Sequence, residues 1–304
     1  MESLFRKIKK KIYNYINFDN KIREIEGLIT SESDKQKLLL GKLLTEALLR
    51  KGTLEDIHEA EFSIFSQGGD DGIIQYLISK IDCPKTFVDI GGGRYTQPDT
   101  RFLLQNNNWS GIAIDGSPVD SLKNSEYYPF FDIEAKQAFV TVENINDLIK
   151  FKEVGLLNID IDGNDYWIWE AIKTSPTIVV IEYNPLFGLK PITIPYEENF
   201  VRTKSDYGTW YCGASLTSLC DLAEVKGYSL VGCSRQGINA FFVRKDKLGE
   251  LRHLTPEEGF VNTTTKECRD KDGKRYFMEH EETISFFLKD APFYNTRTGK
   301  IEKI

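Results

Sequence analysis

The chain has 304 residues, 40% of them apolar and 28% charged, the balance of an ordinary soluble globular protein with a sizeable core. A formal net charge of −7 supplies no basic face for phosphates and argues against a general nucleic-acid binder. Five cysteines without a C-x-x-C pair read as reduced thiols, no segment approaches 18 consecutive apolar residues, and the N-terminus lacks the apolar stretch of a signal peptide, so a cytoplasmic location is expected.

Residues 1–60 read as a helical N-terminal extension. Leu4, Phe5, Ile8, Ile12 and Ile16 recur at helical spacing among Arg6, Lys7, Lys9, Lys10 and Lys11. Such a basic amphipathic stretch can lie on an anionic membrane surface, or pack its stripe on the body or on a partner, and the second is the more common use. Leu38 to Leu49 is apolar over a broad arc, which predicts a helical hairpin or a contact between copies in a homo-oligomer.

The second part, residues 61–246, carries the α/β rhythm. A glycine-acid loop around Gln67 to Gly72 leads into an amphipathic helix ending near Lys80, which feeds a strand at Thr86–Ile90. Further strands are expected at Ile112–Asp115, Tyr127–Ile133, Gly155–Gly163 and Thr177–Asn184, with helices at Asn144–Lys152, Asp165–Lys173 and Ala214–Lys226. Tyr228–Cys233 and Asn239–Arg244, joined by a short loop, suggest an antiparallel edge. Near-continuous apolar strands alternating with helices imply a Rossmann-like, mostly parallel sheet covered on both faces. The segment at about 185–211 is too long for a connector and too aromatic for disorder, and so is expected to fold over the site as a lid. Residues 247–304 form a polar C-terminal extension with aromatic clusters and no assignable job.

The chemistry concentrates at strand ends. Thr86-Phe-Val-Asp-Ile runs into Gly91-Gly-Gly93, a turn where backbone must approach something closely. The next strand ends in Asp115, about 24 positions on, near where an acid holds a ribose diol. A dinucleotide site needs G-x-G-x-x-G to pack a helix against a pyrophosphate, and the third glycine is missing here. S-Adenosylmethionine carries no phosphate and needs only the turn and the acidic tip. Gly91, Gly93, Asp115 and Gly116 are therefore the candidate cofactor contacts, with Asp89 placed to accept from the cofactor's ammonium or to order the turn.

Strand alternation puts Asp160 and Asp162 on one side of the fourth strand, and Glu182 and Asn184 on one side of the fifth, at the rim where parallel sheets bind ligands. Oxygen ligands suit Mg²⁺ or another hard divalent cation, which can lower the pKa of a substrate hydroxyl; alternatively a carboxylate such as Asp162 acts directly as general base. Half of such a cluster is commonly helix capping. Tyr166, Trp167 and Trp169 are more often core than a sugar platform. His58 is the best-placed histidine, although a structural role is the commoner one.

Val88-Asp-Ile-Gly-Gly-Gly93, Ile112-Ala-Ile-Asp-Gly-Ser-Pro118 and Leu157-Asn-Ile-Asp-Ile-Asp-Gly-Asn-Asp165 resemble strand motifs of class I S-adenosylmethionine-dependent methyltransferases. Within that class the likeness is to the FkbM-like group: Phe65-Ser-Gln-Gly-Gly-Asp-Asp-Gly72 resembles its Ser/Gly-Gln-x-x-Glu/Asp-Asp-Gly element, and Ile159-Asp-Ile-Asp-Gly163 its Ile-Asp-Val-Glu-Gly. The resemblance covers roughly residues 62–245. It implies a seven-stranded sheet, cofactor contacts at Asp89, Gly91, Gly93 and Asp115, and O-methylation of a hydroxyl, often on a sugar or glycan. Asp162, Glu182 and Asn184 are also similar to the Asp, Asp, Asn metal triad of catechol-type O-methyltransferases, with a glutamate in the middle place. Asp160, Asp162 and Glu182 are then the expected catalytic residues, and a carbohydrate or other small molecule the expected acceptor. The rival readings are an NAD-linked sugar oxidoreductase, disfavoured by the missing glycine and Tyr-x-x-x-Lys pair, and a non-catalytic scaffold retaining the fold.

Overall fold

The structure, a computed structural model, describes residues 2–93, 95–125 and 127–303, without the side chains of residues 2–17, 19, 23 and 24. The basic stretch at residues 4–16 and Arg94 therefore fall outside the described side chains. The chain divides into two compact units, Met1–Leu43 and Leu44–Ile304. The first is helical: α1 (Glu2–Leu49) is one continuous helix through the position where a hairpin was expected. No Gly-Pro or Asn-Gly signal interrupts residues 38–49, and the leucines, Lys42, Glu46 and Ala47 are good helix formers that carry the helix through the single Gly41. Phe18, Ile25, Leu28, Ile29 and Leu39 on this helix are exposed. No described helix is long and apolar enough to cross a membrane.

The second unit is built on a seven-stranded sheet. In chain order it comprises α2 (Asp70–Lys80), β1 (Thr86–Ile90), α3 (Arg101–Asn107), β2 (Ser110–Asp115), α4 (Asp120–Lys123), β3 (Ile133–Gln137), α5 (Ile145–Leu148), β4 (Leu156–Ile159), α6 (Asp165–Ala171), β5 (Ile178–Glu182), β6 (Ile192–Thr193), α7 (Leu216–Lys226), β7 (Tyr228–Cys233) and β8 (Asn239–Arg244). The sheet order is β3-β2-β1-β4-β5-β8-β7, parallel from β3 to β5. The closing hairpin supplies the antiparallel edge, β8 running against both β5 and β7. This is the Rossmann-like fold class expected from the alternation of strands and helices.

Period-two alternation divides the core into two layers. Val88, Ile90, Ile112, Leu157 and Val179 face one layer, packed around Trp169 of α6 and Leu219 of α7. Phe87, Ala113, Leu156, Ile178 and Val180 face the other, packed on Ile73 and Leu77 of α2 and Leu103 of α3. Both faces of the strands are buried, hence their near-continuous apolar sequence. Trp169 is fully buried between Tyr228 and Phe242, so it is core, as is Tyr166.

Two local expectations are corrected. Tyr127–Ile133 is not a strand: Tyr128–Phe130 is a short 3-10 turn and the strand begins at Ile133. Pro129 has no N–H for a sheet ladder, whereas in Ile133-Glu-Ala-Lys-Gln137 the buried Ile133 and Ala135 flank an exposed Glu134. The fourth strand stops at Ile159, and Asp162 has a left-handed φ of 58°, so strand alternation does not extend through Asp160 and Asp162.

The C-terminal residues have a definite place. β11 (Phe293–Asn295), which follows a small hairpin of β9 (Glu267–Arg269) and β10 (Arg275–Phe277), pairs with β6 of the 185–211 segment and with β12 (Lys300–Glu302). Phe187, Ile192, Tyr211, Leu288 and Phe293 form a third apolar cluster there. Segment 185–211 and the extension thus make one packed module.

Candidate functional site

The site sits at the carboxyl ends of β1, β2, β4 and β5. After β1 the chain turns sharply at Gly91, with φ 92°, where a Cβ would fall 1.6 Å from the Asp160 carbonyl oxygen. Only glycine permits that approach of the β1 turn to the β4 exit. Gly93, also left-handed at φ 57°, has open space around it and donates its N–H to Asp115 Oδ2 at 2.7 Å. Asp115 Oδ1 accepts from the N–H of Ser117 at 2.6 Å. One carboxylate therefore fixes both strand tips, and each of its oxygens retains a lone pair for a hydroxyl donor.

A cavity of about 420 Å³ opens between these tips, lined by Gly91, Gly93, Asp115, Gly116 and the exposed ring of Phe139. Four of the five predicted cofactor contacts meet there. The fifth, Asp89, does not reach it. Its side chain is fully buried beneath the turn, where Thr100 Oγ1 donates to Oδ2 and Asn158 Nδ2 donates to Oδ1 at 3.3 Å. Burial raises its pKa to about 6. Asp89 thus ties β1 to Thr100 and to Asn158 of β4 rather than facing the cavity.

A larger cavity of about 620 Å³ continues over the same turn toward β5, lined by Asp160, Asp162, Glu182, Arg202 and Trp210 among others. Asp160, Asp162 and Glu182 bring oxygens within 4.8 Å of one another. Burial drives the pKa of Asp160 well up, with the Glu182 charge adding to it. Glu182 is pushed up to about 8 by burial, against the pull of Arg202. These two acids cannot both ionise cheaply at close range, so the pair retains a proton near neutrality.

The loop holding this cluster is pinned by Asp165 at the start of α6. Its Oδ1 accepts from Ile161 N at 2.8 Å and its Oδ2 from Gly163 N at 2.9 Å. Helix capping does not account for the run, since Asn164 at the N-cap makes no side-chain cap bond and Asp165 instead ties the loop that precedes the helix. The lid closes on the same loop: Arg202 Nη1 donates to Asp162, Arg202 Nε donates to Thr209 O at 2.6 Å, and its guanidinium lies 5.9 Å from the Trp210 ring. A Cβ on Gly163 would meet Phe200 of the lid at 2.4 Å, so that glycine makes room for the lid. Trp167 Nε1 donates to Ile194 O at 2.9 Å, tying α6 to the same segment.

Asn184 does not join the cluster. Its Nδ2 donates to Trp210 O at 2.8 Å and Cys212 O at 3.0 Å, and its Oδ1 accepts from Leu186 N at 3.0 Å, so the side chain anchors the base of the lid. β5 ends at Glu182, and the chain then turns, which removes the alternation that had placed Asn184 beside Glu182. The expected metal triad thus assembles only in part: Asp162 and Glu182 stand together, Asp160 takes the third place, and the Arg202 guanidinium supplies positive charge at Asp162. Asp160, Asp162 and Glu182 could together offer oxygens to a hard cation, with Arg202 competing for Asp162, and no step below uses a metal. His58 lies elsewhere, its Nε2 3.1 Å from Cys233 O and its Nδ1 3.0 Å from Asp56 Oδ1. Sequence reasoning gave Arg202 no role and missed Asp70, Asp99 and Asn239 of the larger cavity. The alternating charge and aromatic residues of 197–211 were the available signal for Arg202, and the Phe65–Gly72 element for Asp70; nothing local marked Asp99 or Asn239.

No protein-family model matches the chain, and no curated protein matches it. Among solved structures, it overlays the pyocyanin biosynthetic protein PhzM with 13% identity and a TM-score of 0.35 over 55% of this chain, and spans only 53% of that one. The N-terminal domain of EvdMO1 with SAH bound matches at 11% identity and a TM-score of 0.39, over 72% of this chain and 97% of that one. An O-methyltransferase family protein from Burkholderia thailandensis matches at 11% identity and a TM-score of 0.34, over 75% and 72%. Likeness at this level does not carry function.

Proposed function

We propose that the protein is an S-adenosylmethionine-dependent O-methyltransferase of the FkbM-like kind, acting on a hydroxyl of a carbohydrate or glycan-type small molecule. The observation that carries this reading is the junction of two cavities over one turn: Gly91, Gly93, Asp160 and Asp162 line both. The smaller cavity has an acidic tip for a ribose diol, open backbone at Gly93, an aromatic face at Phe139 and no pyrophosphate cradle. These features suit a nucleoside lacking phosphates. The larger cavity is polar and acidic, and suits a hydroxylated acceptor.

The donor, when bound, supplies a methyl group on a sulfonium, an electrophile that needs only an aligned oxygen. The chain's residues do the rest. Asp115 holds the ribose end, and the Gly91 turn admits the remainder of the donor toward Asp160. The acceptor hydroxyl faces Asp160 and Glu182, and Glu182 in its deprotonated form takes its proton as the new C–O bond forms and the C–S bond breaks, with the electron pair left on sulfur. A base of raised pKa is better matched to a weakly acidic hydroxyl than an ordinary carboxylate. Arg202 holds Asp162 and the lid in place, which orients the acceptor; alignment supplies most of the acceleration.

Calorimetric titration with S-adenosylhomocysteine tests the donor half. Micromolar binding is expected, weakened about 100-fold in Asp115→Ala, because two charge-assisted hydrogen bonds of roughly 1.5 kcal/mol each are lost. Binding of NADH with no response to S-adenosylhomocysteine would overturn the reading in favour of an oxidoreductase.

A further inference from the structure

The larger cavity has a second acidic group beside the Asp160–Glu182 pair, Asn239 being the ladder partner of Glu182. Asp70 opens α2, Asp99 lies in the loop before α3, and Asn239 begins β8. Asn239 Nδ2 donates to Asp70 Oδ2 at 3.2 Å and to Asp99 Oδ2 at 3.2 Å, so one amide bridges two carboxyl groups. All three residues are buried, with Asp70 only 3% exposed, and all three line the cavity together with Gly91, Gly92 and Gly93. Asp70 Oδ1 is buried and has no hydrogen-bond partner. Burying a carboxylate oxygen without a partner is unfavourable unless a ligand completes it.

The chemistry of this group selects the ligand. Asp70 and Asp99 repel one another, and burial raises the pKa of both, Asp70 to about 7. Among the described residues, the two arginines lining the cavity are committed elsewhere, Arg202 to Asp162 and Arg269 to Glu267. A small cation with several N–H donors meets the need, since an ammonium offers three donors to the free carboxylate positions. A metal ion suits the group less well, because the Asn239 NH₂ points between the carboxylates. Asp89, placed by the sequence to receive an ammonium, is sealed beneath the turn with both oxygens engaged.

We propose that Asp70 and Asp99, bridged by Asn239, form an ammonium-binding subsite of this cavity. The proposal rests on the methyl-donor reading for its first source of ammonium, the amino-acid end of the donor where it crosses Gly91–Gly93. The same chemistry is available from an amino group on the acceptor.

The experiment compares S-adenosylhomocysteine with its desamino analogue, which lacks only the α-amino group, by calorimetry at pH 7.5. With the donor as source, the parent protein binds the analogue at least tenfold more weakly. Asp70→Asn loses a similar factor for S-adenosylhomocysteine while binding the analogue within twofold of the parent. With the acceptor as source, the two nucleosides bind alike. D-glucosamine then binds more tightly than D-glucose to the parent but not to Asp70→Asn, measured with and without S-adenosylhomocysteine. The parent protein's own discrimination between each amine and its amine-free counterpart remains decisive if the variant does not fold. Absence of amine discrimination in both arms overturns the subsite. Failure of the parent to bind either nucleoside overturns the donor reading instead, and the amino-sugar arm alone then decides the subsite.

Discussion

The two halves of the rim are held by opposite electrostatic devices. On the β2 side, a single half-buried carboxylate, Asp115, accepts from two backbone N–H groups and so carries its charge on fixed dipoles. On the β5 side, Asp160 and Glu182 face each other with Arg202 answering only part of their charge, and burial drives both upward. A charge satisfied by backbone makes a rigid handhold, whereas acids crowded together make a proton acceptor. The first suits binding and the second chemistry.

Breaking both halves at once needs one methyl group. Gly91→Ala places a Cβ on the Asp160 carbonyl in a left-handed backbone, and is expected to lower stability by more than about 3 kcal/mol and to abolish S-adenosylhomocysteine binding, read by denaturant melts and calorimetry. Glu182→Gln separates the halves: turnover falls by about 10²-fold while S-adenosylhomocysteine affinity stays within about threefold, as expected for loss of a general base. An equal loss in both measurements would mean that Glu182 is structural. Arg202→Ala should cost about tenfold in kcat/KM through a raised acceptor KM with kcat little changed, since it removes the 185–211 segment's grip on Asp162 rather than the proton acceptor.

The smallest effect is on stability against pH. Asp70 has a folded pKa of about 7, above its unfolded value near 4, so the native state binds the extra proton. Its contribution is therefore present in full below about pH 4 and is lost as pH rises through 7. The melting temperature is expected to fall by a few degrees between pH 5 and 8, and by less in Asp70→Asn.

The strands and the cleft between the β1 and β2 tips were legible because they follow local rules. Apolar runs ended by glycines mark buried parallel strands, and Gly91 and Asp115 carry their meaning in the sequence around them. The acidic half was legible in composition but not in geometry. Asp160, Asp162 and Glu182 do meet, but Asp162 does so through a left-handed turn that no period-two pattern contains. Asn184 was lost for the same reason, since a turn after β5 redirects it to the lid. Asp70, Asp99 and Asn239 come from three elements up to 169 positions apart, and only the sheet order brings them together. The extension after 246 looked jobless because its partner strand, β6, is two residues long and has no pattern of its own.

The pairing of β6 with β11 also sets an order of assembly. The two strands do not line the larger cavity themselves; they brace segment 185–211, whose Arg202, Thr209 and Trp210 do. That segment is unbraced until residues near 294 have been made, whereas the parallel pairings from β3 to β5 need nothing after residue 182. Chains cut short before 293 are expected to keep the parallel sheet and to lose the packing of this segment, read by limited proteolysis.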